Sequence, residues 1–400
     1  MRTVGIICEY NPFHRGHAWL LAQLRERFGA DTAVVCAMSG NFVQRGDFAI
    51  AEKHLRAEAA LRGGADLVLE LPLPWAISSA EGFARGGVEV LESTGVVDTL
   101  CFGSECADGA RIKRVAEGLL SEEFSTALRE RLTDGGSFAA ARQEAAQQIL
   151  GDDAQILSAP NDILGVEYCK ALRSMHSRME PLALPRRGSA HDGEAQDGFA
   201  SASYIRQKLT AGESADEYLT ADMARLLAQA CAAGRAPVRM ETLERAVLYR
   251  LRMMREGDLA AYDTGGEGLY HRFYDSAKSA TSLEQLLALA KTKRYAHARL
   301  RRMLLSAFLG VVPARQDEEV PYLRVLGMNG RGRKLLHEMR SSARLPVLIK
   351  PADVRELSEA AQRLFTLEAR CTDIYALAFP DPSNAAAGSE WRTGPIILDR

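Results

Sequence analysis

The chain has 400 residues, more than one compact core usually holds, with 47% hydrophobic and 26% charged residues, ordinary for a globular protein. A formal net charge of −2 gives no global reason to expect nucleic acid, so any such binding has to come from a local basic patch. Seven scattered cysteines without CxxC spacing exclude a disulfide or zinc framework. The N-terminus fits no signal peptide and no apolar run reaches the ~18 residues of a membrane span, so a cytoplasmic protein is expected.

The first ~110 residues alternate strand and helix patterns. Thr3–Cys8 is an apolar run, His17–Phe28 has helical periodicity, and Asp31–Met38 is a second β-rich run. Ala51–Arg62 is helical and stops at Gly63-Gly64; Ala65–Leu71 is a third strand broken by Pro72 and Pro74. Glu81–Ser93 returns to helix and Val96–Gly103 is a fourth strand. Apolar strands alternating with helices predict an α/β fold, a Rossmann-like parallel sheet covered on both faces, with ligands at the carboxyl ends of its strands. Ala110–Leu150 and Ile163–Met175 read as helical, Gly188–Gly198 as a loop by composition, and Ser201–Leu209 as the start of another helix. Beyond about residue 215 the pattern is helical without βαβ units. Two domains are therefore expected: 1–215 binding nucleotide and 216–400 mainly helical.

The strongest chemical signal is VGIICEYNPFHRGHAWLL, a strand running into a Pro-containing turn and then a helix. His14 and His17, three apart, share one helix face, and Gly16 lets a ligand approach the backbone. A helix start offers free N–H groups and a positive dipole end to phosphate oxygens. Two imidazoles there suit charge stabilisation around a transferring phosphorus. The bland alternative is a turn with two half-exposed histidines. A second signal is Ser201-Ala202-Ser203-Tyr204-Ile205-Arg206, where hydroxyls at a helix N-terminus precede an Arg able to fork onto phosphate oxygens. Alone it would read as an N-capped surface helix.

Together these segments resemble the HxGH nucleotidyltransferase superfamily, which has a Ser/Thr-rich turn followed by Ile-Arg. More closely, the chain resembles the bacterial tRNA(Met) cytidine acetate ligases. That likeness rests on YNPFHRGH, Met38–Leu61, Gly64–Pro72, Ser78–Gly86, Phe102–Glu105, Pro160–Tyr168, Thr292–Leu305 and Tyr322–Leu336. The resemblance implies ATP as substrate, acetate activated as acetyl-adenylate, and acetylation of N4 of the wobble cytidine of elongator tRNA(Met), with magnesium as the expected counter-ion. It implies an ATP site formed by Ile7, Cys8, Glu9, Tyr10, Asn11, Pro12, Phe13, His14, Arg15, Gly16, His17, Ala18, Trp19 and Leu20, with Gly103, Asn161 and Arg186, Arg187 being the alternative to the last. Ser201, Ser203 and Arg206 join that site, and His14, His17 and Arg206 are the catalytic candidates. Ala202 stands where a third hydroxyl is common. No metal-ligating set is assigned; Glu81 and Glu105 could serve magnesium, but isolated glutamates are more often structural or solvated.

Gln44, Arg45 and Lys53 are candidates for a substrate carboxylate or phosphate, while Arg56 reads as a solvated helix charge. Lys291, Lys293, Arg294, Arg299, Arg301 and Arg302 crowd one short segment with Tyr295 and no acid. On a continuous helix they would form a basic face with an aromatic, suited to tRNA phosphates and base stacking; otherwise the run is a solvated face. Two rival functions share parts of this pattern: a small-molecule adenylyltransferase, which would not need the basic segment, and a non-catalytic RNA-binding nucleotide sensor, which would not need the His pair and Arg206.

Overall fold

The computed structural model describes residues 2–133, 138–187, 198–266 and 268–399. Its centre is an eight-stranded sheet of β1 (Thr3–Cys8), β2 (Ala33–Ser39), β3 (Leu67–Leu71), β4 (Thr99–Ser104), β5 (Glu180–Pro185), β6 (Leu323–Met328), β7 (Val347–Leu348) and β8 (Ile396–Ile397). The spatial order is β8-β6-β3-β2-β1-β4-β5, with β7 pairing β6. Central pairings are parallel, with Ile6 opposite Cys36 and Cys101, and Val35 opposite Leu67. Every residue of β1, β2 and β3 is buried. Continuous apolar runs suit strands covered on both faces, which is why periodicity finds them.

The crossover helices are α1 (Arg15–Phe28), α2 (Lys53–Arg62), α3 (Ala80–Glu92), α4 (Pro160–Ser174) and α5 (Ala202–Thr210). Three helices, Gly109–Leu119, Glu122–Thr133 and Phe138–Leu150, fill the stretch expected to be helical. One face of the sheet packs Ile7, Val35, Leu69, Phe83 and Phe102, and the other Val4, Ile6, Val34, Cys36 and Val68. A third core, around Leu248, Phe273, Leu286, Leu304 and Tyr375, belongs to the helical part. That part includes α6 (His297–Leu309) and α7 (Glu359–Ala376). Among the described residues no helix is long and apolar enough to cross a membrane. The loop expected at 188–198 lies, but for Gly198, outside the described residues.

The sheet does not stop at residue 215. β6 inserts antiparallel beside β3, with Leu67 opposite Met328 and Leu69 opposite Val325, and β8 adds parallel to β6. The C-terminal part, expected to be mainly helical, thus completes the sheet as well as building a helical core. Physically, LRVLGM carries Arg324 among its apolar residues and runs into the basic Arg331–Lys334 segment, which masks the strand. Behind it Asn329 accepts from the amides of Arg331 and Gly332, both at 2.9 Å, and so opens the helix Gly330–Ser342.

Candidate active site

β1 ends at Cys8, and the chain turns through Tyr10, whose φ is 47°, and the cis Asn11–Pro12 bond before entering α1. The Asn11 side chain accepts the Ile50 amide at 2.8 Å and fixes this turn to the next connection. His14 caps α1, its Nδ1 accepting from the Gly16 amide at 3.1 Å, while His17 Nδ1 accepts from the His14 amide at 3.2 Å. A ring nitrogen that accepts carries no proton, so each neutral imidazole keeps its proton on Nε2. The rings stack with centroids 3.6 Å apart. Burial, then Arg186 and Arg206, push the His14 pKa down to about 3. Burial, then His14 and Arg186, hold that of His17 well below the usual imidazole value. The pair is thus two neutral donors.

Arg206 ties the second motif to the first. It donates from Nη1 to the Asn11 carbonyl at 2.7 Å and from Nη2 to Ser203 Oγ at 3.4 Å, while Ser201 Oγ caps α5 by accepting the Tyr204 amide. Gly103 lies one residue before the end of β4, where a Cβ would come within 3.0 Å of Arg186 Cγ, so its bare backbone lets that arginine lie across the strand end. Asp162, buried at the start of α4, accepts Ser104 Oγ at 2.5 Å and the Glu105 amide at 2.9 Å. Asn161 donates to Glu105, and Glu9 accepts the Gln44 amide at 2.7 Å.

These residues converge on one cleft of about 390 Å³ at the carboxyl ends of β1 and β4. Of the expected residues Ile7, Cys8, Glu9, Tyr10, Asn11, His14, Gly16, His17, Trp19, Leu20, Gln44, Arg45, Gly103, Asn161, Arg186, Ser201, Ser203 and Arg206 all line it. Arg187 lines it too, its guanidinium 5.6 Å from the Trp19 ring, whereas Arg186 is the one that depresses both imidazoles. Pro12, Phe13, Arg15 and Ala18 do not line it: Phe13 is fully buried, and the exposed Arg15 donates from Nε to the Leu219 carbonyl at 3.2 Å.

The chain therefore carries the features of a strand-turn-helix nucleotide site, and comparison with other proteins decides its family. A profile described as HIGH Nucleotidyl Transferase matches residues 1–390. The tRNA(Met) cytidine acetate ligase of Acetivibrio thermocellus is 36% identical over 416 residues, covering 100% of both chains. That of Syntrophomonas wolfei is 34% identical over 99% of each. The chain belongs to the tRNA(Met) cytidine acetate ligase family. Among solved structures, Thermotoga maritima TmcAL in its apo form I superposes with a TM-score of 0.95 at 32% identity over the whole of both chains. Thermotoga maritima TmcAL bound with alpha-thio ATP gives 0.93 at 31% identity, again over both whole chains.

In this member of the acetate ligase family the cleft also has an apolar side, which the motifs do not mark. Phe83 and Ala80 from α3, Phe102 next to Gly103, and Leu164 and Tyr168 from α4 form it. The helical spacing of Leu164 and Tyr168 after Asn161 is the one signal that could have found it.

Three expectations are corrected. Lys53 is no cleft cation: it is buried, and its Nζ binds both oxygens of Glu70 at 2.7 and 2.8 Å and Glu390 at 2.6 Å. Arg56 is not a solvated charge but fully buried, donating to the carbonyls of Glu9, Ser39, Gly40 and Ala51 and so clamping the ends of β1 and β2. The basic run is not one helical face. α6 begins only at His297, and Tyr295 is buried in the helical core rather than free to stack on a base. Arg299 donates to Asp263 at 2.8 Å and Arg301 to Asp47 at 2.6 Å, while burial and Arg299 push Arg302 down to about 10. Lys291, Lys293 and Arg294 remain exposed. Glu81 pairs with Lys170 at 3.1 Å, and Glu105 accepts the Asp162 amide at 3.0 Å.

Proposed function

We propose that this chain activates acetate with ATP in the cleft and transfers the acetyl group to N4 of the wobble cytidine of elongator tRNA(Met). The observation that carries this reading is the stacked His14–His17 pair, with both Nδ1 atoms tied down, sharing one cleft with Arg186 and Arg206. An acetate oxygen attacks the α-phosphorus, the bond to the β-bridging oxygen breaks, and pyrophosphate leaves with its electron pair. The two Nε2–H donors and the guanidinium groups face the charge that builds on the phosphates. Neutral imidazoles are suited to this task because they donate without exchanging a proton with the leaving group. The cytidine amine then attacks the acetyl carbonyl carbon, AMP departs, and N4 loses a proton.

ATP would lie across Ile7–Leu20, Gly103, Asn161, Arg186, Ser201, Ser203 and Arg206, with Trp19 and Phe102 offering apolar surface to its base. Magnesium, in this reading, arrives as the counter-ion of the triphosphate. Among the described residues no group of three His, Cys, Asp or Glu side chains could hold a metal, and Glu9 is the single carboxylate lining the cleft. Magnesium sites commonly combine one or two carboxylates with substrate phosphates and water, which suits such a sparse donor set. Lys291, Lys293 and Arg294 are the exposed cations offered to tRNA phosphates.

Mass spectrometry of a tRNA pool incubated with the protein, ATP and isotope-labelled acetate tests this function. Label in acetylcytidine at the wobble position of elongator tRNA(Met) is expected. Adenylylation of a mononucleotide or phosphopantetheine, without labelled tRNA, would instead make it a small-molecule adenylyltransferase.

A further inference from the structure

The turn between Phe42–Val43 and Asp47–Phe48 links the cleft to the helical part of the chain. The two short strands pair antiparallel, and their turn carries Gln44, Arg45 and Gly46. Gln44 and Arg45 line the cleft, and the Gln44 amide is held by Glu9 on the cleft floor. The far side of the turn rests on α6. Gly46 has φ 75°, and a Cβ there would come within 2.3 Å of the Arg301 carbonyl carbon and the Arg302 amide nitrogen. A side chain is thus excluded twice, by left-handed backbone and by direct backbone contact. Asp47 accepts from Arg301 at 2.6 Å, and Arg302 reaches the Gln44 carbonyl at 3.5 Å. Arg45 itself is exposed and makes no hydrogen bond or salt bridge among the described residues. It shares that cleft with Arg186, Arg206 and the His14–His17 pair.

We propose that Arg45 is an oxyanion-binding side chain of the cleft and that α6 sets its position through Asp47, Gly46 and the Gln44 carbonyl. Arg45 then contacts substrate, either the carboxylate of acetate or a phosphate oxygen of ATP, and Asp47 and Arg301 are positioning residues that act through it. The logic is economy of restraint. A guanidinium on a short turn has many rotamers and little fixed backbone, so its usefulness depends on what holds the turn. Here the turn is fixed at one end by Glu9 and at the other by α6. The inference rests on the proposed acyl-adenylate reaction, because it assigns a ligand within that same cleft.

The test is a double-mutant cycle between Arg45→Gln and Asp47→Asn in acetate-dependent ATP–pyrophosphate exchange, with KM determined separately for acetate and for ATP. Gly46→Ala serves as an independent disturbance of the same turn, and thermal melting reports on folding. Wild-type exchange must depend on acetate; if it does not, the underlying function fails and the cycle is irrelevant to the turn. Given that dependence, Arg45→Gln should raise KM for acetate or for ATP about tenfold. Misplacing a positioning group by about 1 Å can cost up to about a hundredfold, so Asp47→Asn and Gly46→Ala should move the same constant in the same direction. Whether acetate or ATP responds tells which oxyanion Arg45 holds. In the Arg45→Gln background, Asp47→Asn should add nothing further. Unchanged constants in Arg45→Gln, or independent additive losses from the two sites, would overturn the proposal. So would a matched loss of activity and melting temperature in Asp47→Asn that persists without Arg45.

Discussion

The imidazoles of His14 and His17 stack 24° from parallel, and each accepts through Nδ1 from a backbone amide at the start of α1. One residue thus does two jobs at once: His14 caps a helix through Nδ1 and offers a donor through Nε2. His14→Asn separates these jobs. Asparagine is among the best N-cap residues, so the melting temperature should stay close to wild type. Its shorter side chain ends before the place of Nε2, and exchange should fall by roughly 10²–10³, the usual loss for one charge-stabilising donor. Normal exchange with lowered stability would make His14 a cap and nothing more.

The same burial fixes a pH dependence. The His14 pKa falls from 6.5 to about 3 on folding, chiefly through burial and then through Arg186 and Arg206. Between those limits the unfolded chain binds more protons than the folded one. This linkage costs nothing above about pH 6.5, and stability is lost as pH falls from there toward about 3, the range in which the unfolded His14 holds a proton and the folded one does not. Denaturant unfolding across this range should give a shallower slope in His14→Asn than in wild type. Equal slopes would mean that His14 is charged in the folded protein.

Lys53 is the buried centre of an ion cluster with Glu70 and Glu390, which joins α2 and β3 to the C-terminal end of the chain. Lys53→Met removes one of two buried cations and leaves the carboxylates of Glu70 and Glu390 with only the Arg324 guanidinium between them. A loss of about 3–5 kcal/mol is expected by urea unfolding, the usual cost of breaking a buried pair. The KM for acetate should not change in the protein that remains folded. A raised KM with normal stability would return Lys53 to the substrate site.

What is legible in the sequence follows from how local each signal is. His14, His17, Ser201 and Arg206 sit in two short stretches whose helix starts are written in the neighbouring residues, and the fold brings all four to one cleft. Lys53 and Arg56 mislead because their partners lie far away, at Glu390 and at the carbonyls of Glu9 and Gly40, and a charge on a helix is ordinarily solvated. Tyr295 misleads for a related reason: a dense run of cations hides one ring that turns into the core. β6 escapes a pattern reading because one strand reached from a distant segment shows no local βαβ rhythm.

Exposure also narrows the surface proposed for RNA to Lys291, Lys293 and Arg294. Changing Lys291, Lys293 and Arg294 together to Gln should weaken tRNA binding and lower the log–log salt slope by roughly 0.7–0.9 for each phosphate left without its cation. Acetate-dependent exchange should persist, because none of the three lines the cleft. A salt slope equal to wild type would leave these residues as a solvated face.

The central claim is that the cleft around His14, His17 and Arg206 makes an acyl-adenylate before tRNA is engaged. Exchange of labelled pyrophosphate into ATP, measured with and without acetate and with no tRNA present, addresses it most directly. Exchange that appears only with acetate, and falls by roughly 10²–10³ in Arg206→Ala, is the predicted result. Exchange independent of acetate, or absent until tRNA is added, would contradict it.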